Sequence, residues 1–303
     1  MQRLNRPLLF GEVLFDIFAD KSVIGGAPFN VVRHLKGFGL EPLFISRIGM
    51  DELGQQILAR MRHWQLDTSA IQLDPDHETG QVWVAEQAGQ PSYTIRENQA
   101  YDHIQPVSCK GDQDTVFNLI YHGTLALREE NNRNTLAKIT AELQSPIFVD
   151  LNLRQPWWQP EIVQTALQNA TWAKMSLDEL REVTAFSGID MSSLAAAAKT
   201  VTARYRLKTL FITDGENGSY CWQDGAMDYQ AALEHHSFKD SVGAGDAFTA
   251  VCILGLLNGW PTKLSLARAA AFAAAICGER GALPSDEALY RTISAGWEAG
   301  AER

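Results

Sequence analysis

Short, mostly apolar runs at residues 8–14, 43–48, 116–121, 147–151 and 209–213 alternate with stretches of helical spacing at 30–38, 53–64, 131–143, 162–169 and 191–205. Runs of this length and composition read as strands buried on both faces. A strand that reaches its neighbour only through a helix returns parallel, by a right-handed crossover that lays the helix on one face of the sheet. The fold class that follows is α/β: a doubly wound, mostly parallel sheet with helices on both faces. The chain has 303 residues, 46% of them hydrophobic, enough to bury one large α/β core or two ordinary ones. It contains no internal repeat, low-complexity tract or linker-like stretch, so residues 1–303 read as a single domain.

One segment breaks the alternation. Residues 81–85 and 92–96 flank Ala88-Gly89-Gln90-Pro91, which predicts strand, turn and strand. The period of two puts Ser92, Thr94 and Arg96 on one face of the second arm and Tyr93 and Ile95 on the other. A two-stranded ribbon is marginal alone, and the partner available to it is the stretch 15–23. Together they predict a small β lid over the main sheet, from insertions at about 15–24 and 79–98. Near the C-terminus, 246–257 and 265–277 are apolar and alanine-rich, and Asn258-Gly259-Trp260-Pro261 between them stops one helix and starts the next.

The formal net charge is −10, and no run of Lys or Arg forms a stripe, which argues against nucleic acid and anionic membrane as partners. No window approaches ~20 uncharged apolar residues, so no membrane span is expected. Gly11, Glu12 and Asp16 interrupt the apolar N-terminal stretch, which reads as a first strand rather than a signal peptide. Cys109, Cys221, Cys252 and Cys277 are widely spaced, as reduced thiols in a cytoplasmic protein would be. The seven histidines, His235 and His236 among them, make no HExxH or other metal-ligand grouping, and no protein zinc site is expected.

The stretch Asp240-Ser241-Val242-Gly243-Ala244-Gly245-Asp246 lies immediately before the first of the two buried helices. Small residues at 243–245 let the backbone approach a ligand, and free N–H groups at a helix start form an anion site. Asp246 in that first turn is placed to take a proton from an alcohol attacking a bound phosphoryl group. The plainer reading is a capped helix after a tight turn. A second cluster, Gly25-Gly26-Ala27-Pro28-Phe29-Asn30, is followed by a helix, a strand and Gly49-Met50-Asp51 with Gly54. Asn30 offers a hydroxyl both donor and acceptor, though it also suits an ordinary helix cap.

These two clusters, in this order, resemble the two signatures of the ribokinase/PfkB sugar kinases, and the resemblance runs over essentially the whole chain. It implies an ATP-dependent carbohydrate kinase with Mg²⁺, with Gly243, Ala244, Gly245 and Asp246 as the catalytic loop and Asp246 as base. It also implies sugar contacts from Asp16, Gly25, Gly26 and Asn30. Asp150-Leu151-Asn152-Leu153-Arg154 resembles a segment of fructokinase-like members in which Arg154 clamps phosphate or sugar oxygens. A surface ion pair between Asp150 and Arg154 is the alternative. Arg96, in Arg96-Glu97-Asn98, resembles a further sugar-side residue or is simply solvated. Lys174-Met175-Ser176-Leu177-Asp178-Glu179 stands where the family has Asn-x-x-Glu, which implies Ser176 on the nucleotide side and Glu179 orienting the water shell of Mg²⁺. Glu179 also suits the first turn of a helix.

Thr213-Asp214-Gly215-Glu216-Asn217-Gly218 resembles the family's nucleotide turn, with Thr213, Gly215 and Gly218 as ATP contacts beside Gly243 and Gly245; a plain hairpin turn is the alternative. Gly281-Ala282-Leu283-Pro284-Ser285 resembles the loop that, with Asp240 and the carbonyl of Val242, encloses a monovalent cation such as K⁺; Gly281 and Ser285 are its candidates. Three residues depart from the family pattern: Ser176 for Asn, Ser241 for Thr, and Val32 for a small residue. The segments together look most like the fructokinase branch, acting on a primary hydroxyl of D-fructose. 2-Keto-3-deoxygluconate, ribose and nucleosides remain open as acceptors, as does a non-catalytic sugar-binding regulator on the same fold. A nicotinamide dehydrogenase would need GxGxxG after a strand, which the chain lacks. The lid either covers its own site in a monomer or clasps a partner's in a homodimer.

Overall fold

The computed structural model describes residues 4–87, 90–108, 115–233 and 238–301. The chain opens with β1 (Leu4–Phe10), β2 (Leu14–Ile17) and β3 (Ser22–Gly25), then α1 (Ala27–Gly37), β4 (Leu43–Gly49), α2 (Glu52–His63) and β5 (Ile71–Asp74). The hairpin β6 (Gly80–Gln87) and β7 (Gln90–Ile95) precedes β8 (Thr115–His122), α3 (Glu130–Leu143), β9 (Ile147–Asp150), α4 (Pro160–Asn169) and β10 (Trp172–Ser176). α5 (Leu177–Ser187), α6 (Leu194–Tyr205), β11 (Thr209–Thr213), β12 (Ser219–Gln223) and β13 (Ala226–Gln230) follow. α7 (Ala244–Asn258), α8 (Thr262–Cys277) and α9 (Ala288–Ala301) complete the described elements.

Nine strands form one sheet in the order β13-β12-β11-β10-β9-β8-β1-β4-β5, parallel from β11 to β5, with β12 and β13 antiparallel at one edge. Successive side chains of a strand leave opposite faces, and β1 shows it: Leu8 and Phe10 enter one core while Leu9 enters the other. The first core takes its helical residues from α3, α4, α5 and α6, and the second from α1, α2, α7, α8 and α9. This is the expected doubly wound α/β fold.

The first strand differs from its expected extent. The run 8–14 is apolar enough to read as one strand, but the chain leaves the main sheet at Gly11 (φ +150°), where a Cβ would come within 2.6 Å of Pro28 Cγ. Leu14 then packs in a separate cluster with Val82 and Tyr101. The run is apolar on both sides of Gly11 and Glu12 because Leu8, Leu9, Phe10 and Val13 pack in the main-sheet cores and Leu14 in the smaller cluster. β10 escaped the sequence reading because Lys174 sits in its middle.

The smaller sheet has the order β3-β2-β6-β7, so the stretch 15–23 does pair with the hairpin, through β2 parallel to β6. Of the predicted turn, Ala88 and Gly89 lie outside the described residues, as do Cys109, His235 and His236. Asp51 anchors this sheet to α2, accepting from Gly54 N at 2.8 Å, Thr79 N at 2.7 Å and Thr79 Oγ1 at 2.7 Å. A Cβ on Gly54 would lie 2.2 Å from Gly49 O. The segment 49–54 is therefore a structural bracket at the root of β6.

α7 is fixed to the main sheet from below. Asp150, fully buried, accepts from Thr249 Oγ1 at 2.7 Å and from Lys174 Nζ at 3.1 and 3.3 Å. Burial disfavours the Lys174 ammonium, but Asp150, Glu179 and Asp246 outweigh that and hold its pKa above the ordinary lysine value. Removing one partner strands the other charge in the interior. Lys174→Ala is therefore expected to lower unfolding stability by about 3–5 kcal/mol, read as a fall in the urea midpoint; a loss below about 1 kcal/mol, the value of an exposed pair, would contradict this anchoring.

Candidate active site

The carboxyl ends of the parallel strands lie along one edge of the sheet, the edge at which open α/β folds bind ligands. Two helix N-termini meet there. α1 starts at Gly26, whose φ of +104° and 2.8 Å approach of a would-be Cβ to Glu12 O admit only glycine. α7 starts at Gly243 (φ +78°), where a Cβ would strike Ala282 Cα at 2.4 Å. Asn30, one turn into α1, donates from Nδ2 to Asp246 Oδ2 at 2.8 Å in the first turn of α7. The two motifs, 216 residues apart, thus share a hydrogen bond. The cap of α7 is Gly243, so Asp246 is not the capping residue.

Burial is the main cause that pushes Asp246 up to about 6, with Asp150 adding repulsion, while the Asn30 hydrogen bond, Lys174 and Arg154 oppose it. Gly245 faces Lys174, whose Nζ would be 3.4 Å from a Cβ at that position. The small residue lets the buried ammonium approach the loop of backbone N–H groups. The turn therefore combines amide donors, a helix dipole and a cation, a set suited to phosphate oxygens.

Asp16, in β2, is pushed up to about 6 by burial against the pull of Arg154. A Cβ on Gly25 would lie 2.9 Å from Asp16 Oδ2, so Gly25 gives the carboxylate its place. Arg154, exposed, acts electrostatically on Glu12, Asp16, Tyr93 and Asp246, which places its charge over the same cleft. The alternative of an Asp150 to Arg154 surface pair is not formed, since Asp150 is buried against Lys174 and Thr249. Arg96 is engaged elsewhere: it pairs with Glu78 at 2.6 Å and lies over the exposed Trp83 ring. On β7 it is Tyr93, on the opposite face, that senses Asp16, Asp240 and Arg154. The period of two holds, but the polar face of this arm is the outer one.

Ser176 and Glu179 form a reciprocal cap on α5: Ser176 Oγ accepts from Glu179 N at 3.1 Å, and Glu179 Oε2 accepts from Ser176 N at 2.7 Å. Glu179 Oε1 accepts from Leu153 N at 2.6 Å, tying this cap to the Arg154 segment. Thr213 ends β11, and 214–218 forms the tight connection to antiparallel β12. A Cβ on Gly218 would lie 2.3 Å from Gln230 O, whereas Gly215 faces open space. Packing therefore explains Gly218, and Gly215 is the open face of the turn. Asp240 joins two loops, accepting from Val242 N at 3.0 Å and Gly281 N at 3.2 Å. Ser285 turns instead to Glu279, to which its Oγ donates at 2.9 Å. Among the described residues no three His, Cys, Asp or Glu side chains are grouped to hold a metal directly.

Sequence reasoning passed over Glu12 and Lys174 as site residues. Glu12 is 3% exposed, and burial pushes its carboxyl up to about 7. Its signal was visible as an acid interrupting an apolar run. Lys174 carried the same signal inside β10.

Fructokinase of Salmonella typhimurium is 27% identical over 269 residues, covering 84% of each chain. The ATP-bound crystal structure of fructokinase from Xylella fastidiosa superposes with a TM-score of 0.84 at 20% identity, covering 97% of this chain and 99% of that one. A doubly substituted Vibrio cholerae fructokinase, solved with fructose, ADP and potassium, gives 0.76 at 21% identity, covering 97% and 99%. The family model for pfkB family carbohydrate kinases matches residues 4–289, and the chain belongs to that family.

Proposed function

We propose that this sugar kinase transfers the terminal phosphoryl group of ATP to a primary hydroxyl of D-fructose, with Asp246 as the general base. The observation that carries this is the Asn30 to Asp246 hydrogen bond. It couples the sugar-side motif to the phosphate-side motif and holds the carboxylate between them. That the relatives in Salmonella typhimurium and Klebsiella pneumoniae are fructokinases supports fructose as the acceptor.

On this reading the sugar lies between Asp16, Gly25, Gly26 and Asn30, and the terminal phosphates of ATP lie at 243–246. Thr213 and Gly215 lie along the nucleotide. Arg154 reaches over both. Asp246 takes the proton of the attacking hydroxyl as the new oxygen–phosphorus bond forms and the bond from the γ-phosphorus to the β,γ-bridging oxygen breaks, with ADP leaving. Phosphoryl transfer needs alignment and charge neutralisation more than covalent help, and the amide loop, Lys174 and Arg154 supply them. Mg²⁺ would neutralise the β- and γ-phosphate oxygens. Glu179, with each oxygen already accepting one N–H, retains lone pairs for a metal-bound water. Asp240 and the carbonyls of its two joined loops offer hard oxygen donors that suit K⁺. The smaller sheet serves as a lid that excludes water as a competing acceptor. Reduced Cys221, Cys252 and Cys277 fit a cytoplasmic setting.

Asp246→Asn keeps the shape of the site and its hydrogen bond to residue 30 while removing the base. Its kcat is expected to fall at least ~10²–10⁴-fold with the fold intact by circular dichroism; near-normal turnover would remove Asp246 from the role. Because ionised carboxylates are required and Asp246 and Asp16 both titrate near 6, kcat/KM should decline as pH falls below about 6, approaching a hundredfold per unit. A flat profile from pH 7 to 5 would contradict this. A coupled ADP assay over fructose, ribose, 2-keto-3-deoxygluconate and adenosine, with K⁺ or tetramethylammonium, should give the highest rate with fructose and K⁺. Sugar binding without ADP release would identify an inert regulator instead, and equal rates in the two salts would dismiss the monovalent site.

A further inference from the structure

A cleft of about 220 Å³ opens where the C-terminal ends of α1 and α2 meet the start of α9, lined by Arg33, Lys36, His63, Trp64, Glu287 and Arg291 among others. The space is many times the ~10–15 Å³ that one water needs and below the ~300–1,000 Å³ of pockets for drug-sized molecules, so it suits a small ligand. Its floor is Arg33. That side chain is only 5% exposed, with its guanidinium carbon 4.8 Å from the centre of the Trp64 ring and 5.0 Å from that of Tyr290. Arg33 Nη2 donates to Glu287 Oε1 at 2.6 Å, and no other acceptor holds the group among the described residues. None of its nitrogens is both buried and unpartnered. The N–H groups not given to Glu287 therefore open into the cleft.

Basic residues at helix C-termini also complement the helix dipole, and Lys36 has that role while held by Glu41 at 2.7 and 2.8 Å. The last carbonyls of both helices are already capped by the N–H groups of Phe38 and Trp64. Arg33 is left with donors facing the cleft, and the exposed Arg291 has no protein partner among the described residues. Against them stands one lining carboxylate, Glu287, itself 58% exposed and so free to turn out to solvent. We propose that this cleft binds a small doubly charged oxyanion, a phosphate monoester or a dicarboxylate, which takes the place of Glu287 on Arg33 and pairs with Arg291. A planar guanidinium fixed between two rings presents its N–H groups to such oxygens without further ordering. Exchanging one anion for another also keeps the buried Arg33 charge paired throughout. A neutral ligand would gain nothing by displacing the carboxylate, and a cation would meet Arg33, Lys36 and Arg291. The cleft includes Gly37, about two turns along α1 from Asn30, and the proposal holds whichever sugar the kinase accepts.

The test is calorimetric titration of the full chain with glycerol 3-phosphate and with succinate, the nucleotide site being filled by Mg²⁺ and a non-hydrolysable ATP analogue. At least one of the two should bind saturably, and which one tells phosphate esters from dicarboxylates. Arg291→Gln should weaken that binding about 10-fold, and Glu287→Gln, which removes the competitor for Arg33, should tighten it about 10-fold, each the worth of one charge-assisted hydrogen bond. Glu287→Gln also takes a partner from a buried arginine, so its thermal midpoint should fall; tighter binding by a less stable protein is a result that no folding defect imitates. No saturable heat with either anion, or shifts in the two variants that are not opposite in sign, overturns the proposal.

Discussion

One hydrogen bond, from Asn30 Nδ2 to Asp246 Oδ2, sets the relation between the two halves of the site. It spans α1 and α7, which pack side by side and aim their N-termini at the same edge of the sheet. Each helix is held by something rigid: α1 by a glycine turn pressed onto Glu12 O, α7 by Thr249 on the buried Asp150. The carboxylate therefore has a fixed address between the glycine turn at 25–26 and the amide-lined turn at 243–245. As the proposed base, a carboxylate placed this way needs little reorganisation when the reaction begins.

The electrostatics of the cleft follow from burial. Glu12, Asp16 and Asp246 are all raised, chiefly by burial, to about 7, 6 and 6. Their ionised forms cost stability in the folded chain, a cost the two flanking hydrophobic cores offset. The partnered cations stand at defined places instead: Lys174 against Asp150 beneath the anion loop, and Arg128 against Asp102 beneath the smaller sheet. Strained glycines and underpaired acids thus concentrate where the N-termini of α1 and α7 meet, as stored strain and shifted titration do at functional sites.

Much of this was legible in the chain. The alternation of apolar runs and helical stretches gave the layered sheet, because burial on both faces leaves parallel strands few other patterns. The two glycine-bearing motifs gave the helix starts that form the site. Misreadings arose where one residue answered to a distant partner. The run 8–14 read as one strand because Leu8, Leu9 and Phe10 pack on both faces of the main sheet while Leu14, past the turn at Gly11, packs under the smaller one. β10 was hidden by a lysine that buried carboxylates, Asp150 foremost, make tolerable inside a sheet. The alternation along β7 was read correctly, but Arg96 was left between a sugar-side and a solvated role, since nothing local tells which side of a ribbon faces the cleft. Ser285 was grouped with the 240–243 loop by family resemblance, and its hydroxyl donates to Glu279.

Taken by itself, the sequence determined the fold class, the places where helices begin, and the residue types able to accept a proton or approach a phosphate, because backbone sterics and hydrophobic periodicity are local properties. Tertiary structure alone decided which of those residues face one another and how far burial moves Glu12, Asp16 and Asp246 from ordinary carboxylates. Those properties depend on distance and desolvation between segments up to 216 residues apart, and neither is written in any one stretch of chain.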